Sequence, residues 1–290
     1  MLLTVSPETA TFDLNPEGDG YADVVLTVAA NNGTVTVSEV YNGDTKLTKA
    51  THYTVDGGAV TLKATYLDDL EEDDYTITIK TDQGDITAVV TVADTTTLTA
   101  DPATAVFDKN TSGEGYDDVA IEVKHNTTGV TLTSVHNGDV ALTAPTHYTT
   151  DGLVVTILKT YLVTLDEGDA TITFKTNKGD VSIVITVVDT TVLTADPATA
   201  TFDKNTENAE GYDDVVVEVK HNTADVTLTA VKNGDTTLTA TTHYTAAGLA
   251  VTILKTYLAT LEEGAATITF VTNKGSVNAV ITVVDTTEEV

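Results

Sequence analysis

Apolar and polar residues alternate along most of this chain with a period of two, the period at which side chains change face along a β-strand. Over 214–221, for example, Val215, Val217 and Val219 take one set of alternate positions, while Val216, Glu218 and Lys220 take the other. Alternation of this kind predicts a strand with one buried and one solvated face. Turn-forming residues interrupt the pattern about every 8 to 12 residues, so the sequence predicts many short strands in an all-β fold.

An Asn-Gly dipeptide separates two predicted strands in each third of the chain, beginning at Asn42, Asn137 and Asn233. Asn-Gly suits the two-residue turn whose twist matches that of paired antiparallel strands. We therefore expect a β-hairpin at each of these positions.

A helical period interrupts the strands once in each third. In 255–264 the apolar residues Tyr257, Leu258 and Leu261 lie at the spacings of one, three and four that place side chains on one helix face. This spacing predicts a single helical turn, which we expect to end at Gly264.

The whole pattern occurs three times. The segment 98–191 returns almost unchanged at 193–287, and a more diverged copy covers 3–96. A repeat of about 95 residues is typical of an immunoglobulin-like antiparallel sandwich, whereas solenoid repeats are much shorter. We therefore predict three tandem immunoglobulin-like β-sandwich domains, at 1–96 (divergent), 97–191 and 192–290. No flexible spacer separates them, so we expect an elongated, fairly stiff rod.

The charge of the chain limits its partners. The formal net charge is −30, from 44 acidic residues and 14 basic residues, all of them lysine. A surface of this sign repels nucleic acid and anionic membranes, so we expect neither as a partner. There is no cysteine, which excludes disulfides and thiolate chemistry. No apolar run approaches the ~18 residues of a membrane-spanning helix, so we expect no membrane insertion.

The first predicted domain begins almost at Met1, and no signal peptide is visible. Two explanations stay open from the sequence. Either Met1 is the native start of a protein made in the cytoplasm, or the chain was cut from a longer one.

The most specific local pattern is Y-T-x-x-G-x-x-V-T-I-x-K-x-Y-L-x-x-L-x-x-G over 244–264, followed by T-I-T-F at 267–270. Together with its weaker copies it is similar to the immunoglobulin-like X module of bacterial cellulosomal scaffold proteins, three times over. The resemblance implies a sandwich fold in large extracellular or surface assemblies, with roles in spacing, solubility and attachment to cell walls or polysaccharide. It implies no catalytic residues. The chain departs from the family at the residue before the first tyrosine of the pattern, which is histidine where the family usually has aspartate, and its polar loop is longer.

The tyrosine of the helical turn recurs as Tyr66, Tyr161 and Tyr257. It resembles the tyrosine at the corner of immunoglobulin-like domains. We expect it to have a structural role rather than a binding role.

A polar loop before the third predicted strand of each repeat is a weak calcium candidate. Oxygen-bearing residues occupy alternate positions there, as in a calcium loop; they are Asp13, Asn15 and Glu17, then Asp108, Asn110 and Ser112, then Asp203 and Asn205. The bidentate glutamate that should close such a loop is missing. We therefore favour an Asx-rich turn, keep calcium as the alternative, and expect no other cofactor.

Sugar or partner binding has weak candidates in Tyr21, Tyr116 and Tyr212, which recur just before the same strand. Aromatic rings can serve as platforms for sugar rings, but one tyrosine per repeat is more often packed. No motif of a catalytic nucleophile is present, and a repeated chain has no room for a unique active site, so we expect no enzyme.

We interpret the chain as a non-enzymatic structural and display protein on the surface of a larger assembly. The leading hypothesis is a phage virion decoration, fibre or tail-surface protein, with a capsid or tail as partner and docking through the first domain. The alternative is a spacer or a polysaccharide- or cell-wall-binding module of a secreted bacterial surface or scaffold protein. The corresponding locations are the virion surface and the cell exterior.

Overall fold

The structure, a computed structural model, describes residues 2–31 and 33–287. The first residue of the first predicted domain and the last three of the third therefore lie outside the described residues. Each repeat forms nine strands and one helical turn within the described part of the chain.

The elements of the first repeat are β1 (Leu3–Ser6), β2 (Thr9–Asp13), β3 (Val24–Ala30), β4 (Val37–Asn42), β5 (Thr45–Lys46), β6 (Tyr53–Asp56), β7 (Ala59–Leu62), α1 (Ala64–Leu67), β8 (Asp73–Thr81) and β9 (Gly84–Ala93). Those of the second repeat are β10 (Leu98–Asp101), β11 (Thr104–Asp108), β12 (Val119–His125), β13 (Leu132–Asn137), β14 (Val140–Ala141), β15 (Tyr148–Asp151), β16 (Val154–Ile157), α2 (Lys159–Leu162), β17 (Gly168–Thr176) and β18 (Gly179–Val188). Those of the third repeat are β19 (Leu193–Asp196), β20 (Thr199–Asp203), β21 (Val215–His221), β22 (Leu228–Asn233), β23 (Thr236–Thr237), β24 (Tyr244–Ala247), β25 (Ala250–Ile253), α3 (Lys255–Leu258), β26 (Gly264–Thr272) and β27 (Gly275–Val284).

Each repeat is a sandwich of one four-stranded and one five-stranded sheet. In the third repeat the orders are β19-β21-β25-β24 and β20-β27-β26-β22-β23, and the other two repeats have the equivalent orders. The strands pair antiparallel except that β20 runs parallel to β27. The predicted all-β, immunoglobulin-like sandwich is confirmed, whereas the elongated arrangement of the three sandwiches stays a prediction.

The alternating apolar residues form the core between the two sheets. Val215, Val217 and Val219 are buried, and the residues between them are exposed. A fully buried phenylalanine on the strand that pairs parallel occupies the same place in each sandwich, as Phe12, Phe107 and Phe202. Because the core combines residues from both sheets, each sandwich buries its own apolar surface.

The predicted helical turn is present, but it is shorter than expected. The turn α3 ends at Leu258, and Gly264 instead begins β26 with φ +126°. The hydroxyl of Thr260 donates a hydrogen bond to the carbonyl oxygen of Tyr257 at 2.7 Å, so this end of the helix is satisfied without another turn. The expectation that the turn ends at glycine was therefore wrong.

Two long-range hydrogen bonds fix this turn in the third sandwich. The amide Nδ2 of Asn233, the last residue of β22 before the hairpin turn, donates to the hydroxyl of Tyr257 at 3.0 Å. The backbone N–H of Lys255 donates to Asp214 Oδ1 at 2.7 Å. Each bond joins residues that are far apart in the sequence. The bond to Tyr257 ties the hairpin to the helical turn, and the bond to Asp214 ties the start of the third strand to it.

Grouping by Cα proximity gives two compact units. One comprises 1–104, 120–156 and 171–184, and the other comprises 105–119, 157–170 and 185–290. The first unit includes the whole first sandwich and the junction that follows it. The second includes the junction before the third sandwich and that whole sandwich. No helix in the described residues is both long and apolar enough to cross a membrane.

Candidate functional site

A groove of about 550 Å³ lies at one edge of the third sandwich, and residues 226–228, 240–241, 244–246 and 248–249 line it. Its two sides come from different sheets, because 226–228 lead into β22 of the five-stranded sheet whereas 244–246 belong to β24, the edge strand of the four-stranded sheet. We call it the edge groove. It is open along an edge where the two sheets are not joined by backbone pairing.

The second sandwich has the same groove. It measures about 410 Å³, and its lining includes Leu132, Ala144, Tyr148, Thr150 and Leu153. Adding 96 to these numbers gives Leu228, Ala240, Tyr244, Ala246 and Leu249, all of which line the groove of the third sandwich. The edge groove is therefore a feature of the repeat and not an isolated depression.

The floor of the groove is apolar and aromatic. In the third sandwich Leu228, Tyr244 and Leu249 are partly exposed and pack against the buried core. Ala246 and Gly248 have small or no side chains, which leaves the depression above them. Small-molecule and sugar sites are usually recesses with mostly apolar walls and an aromatic ring that packs against the core.

One wall of the groove is held by a single asparagine. The backbone N–H of Thr227 donates to Asn273 Oδ1 at 2.8 Å, and Asn273 Nδ2 donates to the carbonyl oxygen of Asp225 at 2.8 Å. Asn177 makes the equivalent bonds in the second sandwich, to Thr131 at 2.8 Å and to Gly129 at 3.0 Å. These bonds fix the wall before any ligand arrives, which lowers the ordering cost of binding.

The opposite wall is the loop that leads into β24. The backbone N–H of Thr239 donates to His243 Nδ1 at 3.1 Å, and the N–H of Thr241 donates to the carbonyl oxygen of Tyr244 at 2.7 Å. Thr241 itself has φ +68°, a left-handed conformation that β-branched residues rarely adopt. The equivalent residue of the first sandwich, Ala50, has the same conformation with φ +70°, so this backbone is a feature of the loop and not of the groove.

The first sandwich carries different residues at the same positions. Lys49 replaces Ala240, Val55 replaces Ala246, and Gly58 replaces Leu249, as subtraction of 191 from each number shows. Its tyrosine, Tyr53, is only 3% exposed, whereas Tyr244 is partly exposed. The first sandwich therefore does not present an aromatic surface at this edge.

None of the described residues that line the edge groove has a charged side chain, in either sandwich. The ionisable groups among these described lining residues are the tyrosine hydroxyls, although the chain as a whole carries a net charge of −30. Threonine hydroxyls such as those of Thr227, Thr241 and Thr245 supply polar groups. The groove thus offers an aromatic face and neutral hydrogen-bonding groups, which together suit an uncharged, hydroxyl-rich ligand.

The tyrosines singled out from the sequence lie elsewhere. The rings of Tyr116 and Tyr212 pack against Phe107 and Phe202, with centroids 5.6 Å apart in both cases. A lysine ammonium group lies over each ring, Lys159 Nζ at 5.3 Å from Tyr116 and Lys255 Nζ at 5.6 Å from Tyr212. A sugar could stack on these rings only by displacing the lysine, so their role in binding stays a prediction.

Tyr21 has a related environment. Its ring centroid lies 5.3 Å from that of Phe12, and no lysine stands at the equivalent of Lys255, because that position is Ala64. Burial, followed by the nearby carboxylate of Asp68, raises the pKa of the Tyr21 hydroxyl. Tyr21 is therefore tied into the sandwich, and its binding role likewise stays a prediction.

The polar loop forms the Asx turns that we favoured. Oδ1 of Asp13, Asp108 and Asp203 accepts a hydrogen bond from the backbone N–H two residues later, at 2.9, 2.9 and 3.0 Å. The side chains of Asn15, Asn110 and Asn205 repeat this pattern with the N–H groups of Glu17, Ser112 and Glu207 at 3.0 to 3.1 Å. The aspartates are also bonded to a threonine near the end of each repeat; for Asp203 this is Thr286, whose hydroxyl contributes most to a pKa well below the usual value.

These bonds use side-chain oxygens of the aspartate and the asparagine of each loop, two of the candidate calcium ligands. In the described residues no group of three or more His, Asp or Glu is arranged to hold a metal ion. Calcium binding at this loop stays a prediction. We expect the melting temperature of the chain to be the same in millimolar calcium as in excess chelator, because the carboxylates are already satisfied by N–H and O–H donors. A melting temperature that rises in calcium in the wild type, but not in an Asp108→Asn variant, would show that the loop binds the ion.

Sequence reasoning missed the edge groove because its sides are 12 to 20 or so residues apart in sequence and meet only through the packing of two sheets. The signal that could have indicated it is the pattern of small residues around a repeated tyrosine, Ala240, Ala246 and Gly248 around Tyr244. In the first repeat the glycine is kept as Gly57, but Lys49 and Val55 replace the two alanines.

The fold and the edge groove together define a class of protein, an array of β-sandwich modules of which at least two present a neutral, aromatic groove. The chain belongs to the family described as "Carbohydrate binding domain X2", which matches it three times, at 5–92, 100–187 and 195–283. This family is a carbohydrate-binding, non-catalytic type of domain. Each matched segment lies inside one of the predicted domains, and the resemblance to the cellulosomal X module is confirmed.

One curated relative is "Cellulose-binding protein A" of Clostridium cellulovorans, 34% identical over 184 residues. The match covers 61% of this chain and 9% of that protein, so the chain spans about a tenth of its relative's length. The family and this relative favour the alternative interpretation, a module of a bacterial surface or scaffold protein. They give no support to a phage virion protein.

Two solved structures are similar to this chain at low identity. The titin fragment I67–I69 is 10% identical, with 99% of this chain and 100% of that chain covered and a TM-score of 0.38. A tri-modular GH5 endo-β-1,4-glucanase from Bacillus licheniformis is 15% identical, with 64% of this chain and 38% of that chain covered and a TM-score of 0.30.

Proposed function

We propose that this chain is a non-enzymatic polysaccharide-binding array that holds glycan chains in the edge grooves of its second and third sandwiches. The observation that carries the proposal is the recurrence of the same preformed, uncharged groove around Tyr148 and Tyr244 in a chain of this family. The first sandwich, with Tyr53 buried, serves as a spacer in this proposal. Docking of the first sandwich on a protein assembly is a separate hypothesis that nothing in the fold supports.

The ligand that best fits is an uncharged polymer such as cellulose or a neutral cell-wall glycan, because the groove offers no cation to an acidic sugar. The net charge of −30 would also repel polyanions at low ionic strength. A location outside the cell or on its surface, where such polymers occur, follows from this ligand.

The test is depletion of the full chain from solution by insoluble polysaccharides. We expect retention on cellulose or a neutral cell-wall glycan that is unchanged between low and high salt, and no retention on a polyuronate at low salt. The proposal is wrong if no neutral polysaccharide retains the chain. Retention only on acidic polymers would show that binding uses some surface other than the edge groove.

A further inference from the structure

The junctions between consecutive repeats contain an unexpected pair of side-chain contacts. At the first junction, Asn126 Nδ2 donates to the carbonyl oxygen of Thr95 at 3.0 Å, and its Oδ1 accepts from the N–H of Thr97 at 2.8 Å. At the second, Asn222 makes the same two bonds, to the carbonyl oxygen of Thr190 at 3.0 Å and from the N–H of Val192 at 2.7 Å. One asparagine of the later repeat thus binds two linker residues that are separated by a single residue.

The same linker residue is bound by the earlier repeat. The N–H of Thr190 donates to Asp108 Oδ1 at 3.0 Å, and its hydroxyl donates to the other oxygen of that carboxylate. Thr95 has the equivalent bonds to Asp13. A single threonine therefore links a buried or half-buried aspartate of one repeat to an asparagine of the next, in both junctions.

A second contact distinguishes the two junctions. The hydroxyls of Thr111 and Thr223 lie 3.1 Å apart, so the polar loop of the second repeat reaches a buried threonine of the third. The equivalent of Thr223 at the first junction is Thr127, which is also buried. The equivalent of Thr111 is Pro16, which has no hydroxyl.

Thr127 Oγ1 is accordingly buried without a hydrogen-bond partner among the described residues. An unpaired buried hydroxyl costs free energy that a paired one does not. Proline at position 16, where the second repeat has Thr111, explains why the Thr127 hydroxyl lacks the partner that Thr223 has.

We infer that the linker, the aspartate and the asparagine form a specific interface between consecutive modules. Each module binds the preceding module of the same family through this interface. The interface between the second and third repeats is the stronger of the two, because only it has the pair Thr111–Thr223. The inference does not depend on the proposed ligand. It assigns Asp13 and Asp108 a role in joining modules, in place of the calcium role considered from the sequence.

The asparagine is tested by scanning calorimetry of the full chain. We expect Asn222→Ala and Asn126→Ala each to lower the melting temperature of the adjoining sandwiches by about 4 °C or more, from the loss of two hydrogen bonds. The matched control is Asn31→Ala. Asn31 occupies the equivalent position in the first repeat, and among the described residues its side chain accepts one bond, from the N–H of Leu2 at 3.2 Å. Equal effects of all three substitutions would overturn the inference.

The threonine pair gives an independent test. We expect Thr223→Val to lower the melting temperature, because it leaves the hydroxyl of Thr111 without this partner, and Thr127→Val to leave it unchanged or raise it, because no bond is lost there. Valine has nearly the shape of threonine, so both variants should fold. If Thr127→Val destabilises the chain as much as Thr223→Val, the difference between the junctions is refuted.

Discussion

Replacement of both Tyr148 and Tyr244 by alanine is expected to weaken retention of the chain on a neutral polysaccharide at least tenfold. Each ring supplies the aromatic part of the floor of an edge groove. Central aromatic residues in a binding site commonly contribute ~2 kcal/mol or more, and a tenfold loss corresponds to ~1.4 kcal/mol. The measurement is a binding isotherm from depletion by the insoluble polymer.

The two single variants sharpen this prediction. If both grooves bind one polymer, Tyr148→Ala or Tyr244→Ala alone removes the gain from two linked sites, so each single variant should lose part of the apparent affinity. A single variant with the full loss of the double variant would show that only one groove binds.

A second pair of variants separates binding from folding. Tyr244 packs against the core, so its removal also lowers stability. Ala144 and Ala240 are exposed, and lysine already stands at the equivalent position of the first repeat, as Lys49. Ala144→Lys with Ala240→Lys should therefore fold normally and block the grooves.

The control for aromatic residues in general is the double variant Tyr116→Ala with Tyr212→Ala. These rings were the candidates from the sequence, and they lie under Lys159 and Lys255. We expect this variant to keep its affinity for the polymer. If it loses binding while the variants of the edge groove retain it, the sequence-based candidates are the site and the groove is not.

The strands were predictable because local patterns determine them. The alternation over 214–221 corresponds to β21, and a hairpin follows at each Asn-Gly dipeptide. The asparagine is the last paired residue of its strand, so the two loop residues are Gly-Asp, at 43–44, 138–139 and 234–235. The edge strand β24, with the sequence Y-T-A-A, has no alternation of apolar and polar residues. It is a strand because it pairs with β25, which only the assembled sheet provides.

The site could not be predicted for a related reason. All three repeats have tyrosine at the position of Tyr244, and the local pattern Y-T-x-x-G is the same in each. Exposure of the ring depends on the residues packed around it, and these differ between the repeats: the positions of Ala240 and Ala246 are Lys49 and Val55 in the first. Burial of a side chain is a property of packing, so the shared pattern occurs with a buried Tyr53 and a partly exposed Tyr244.

The largest loss of stability is expected from Phe202→Ala. Phe202 is fully buried on β20 and belongs to the core of the third sandwich. Phenylalanine-to-alanine changes in a core cost ~3–5 kcal/mol, a large part of the ~5–15 kcal/mol that stabilises a typical domain. The melting temperature of this sandwich should fall by at least ~12 °C, and calorimetry should show it as a separate early transition.

The matched variant Phe12→Ala connects stability with function. Phe12 has the same place in the core of the first sandwich, where Tyr53 is buried. Above the early transition, the Phe202→Ala chain should lose the contribution of the groove at Tyr244, because Leu228, Tyr244 and Leu249 pack on the core that has unfolded. The Phe12→Ala chain should unfold its first sandwich at a similar temperature and retain its affinity for the polymer. Loss of binding in the Phe12→Ala chain instead would place a ligand site in the first sandwich, and the edge grooves would then not account for binding.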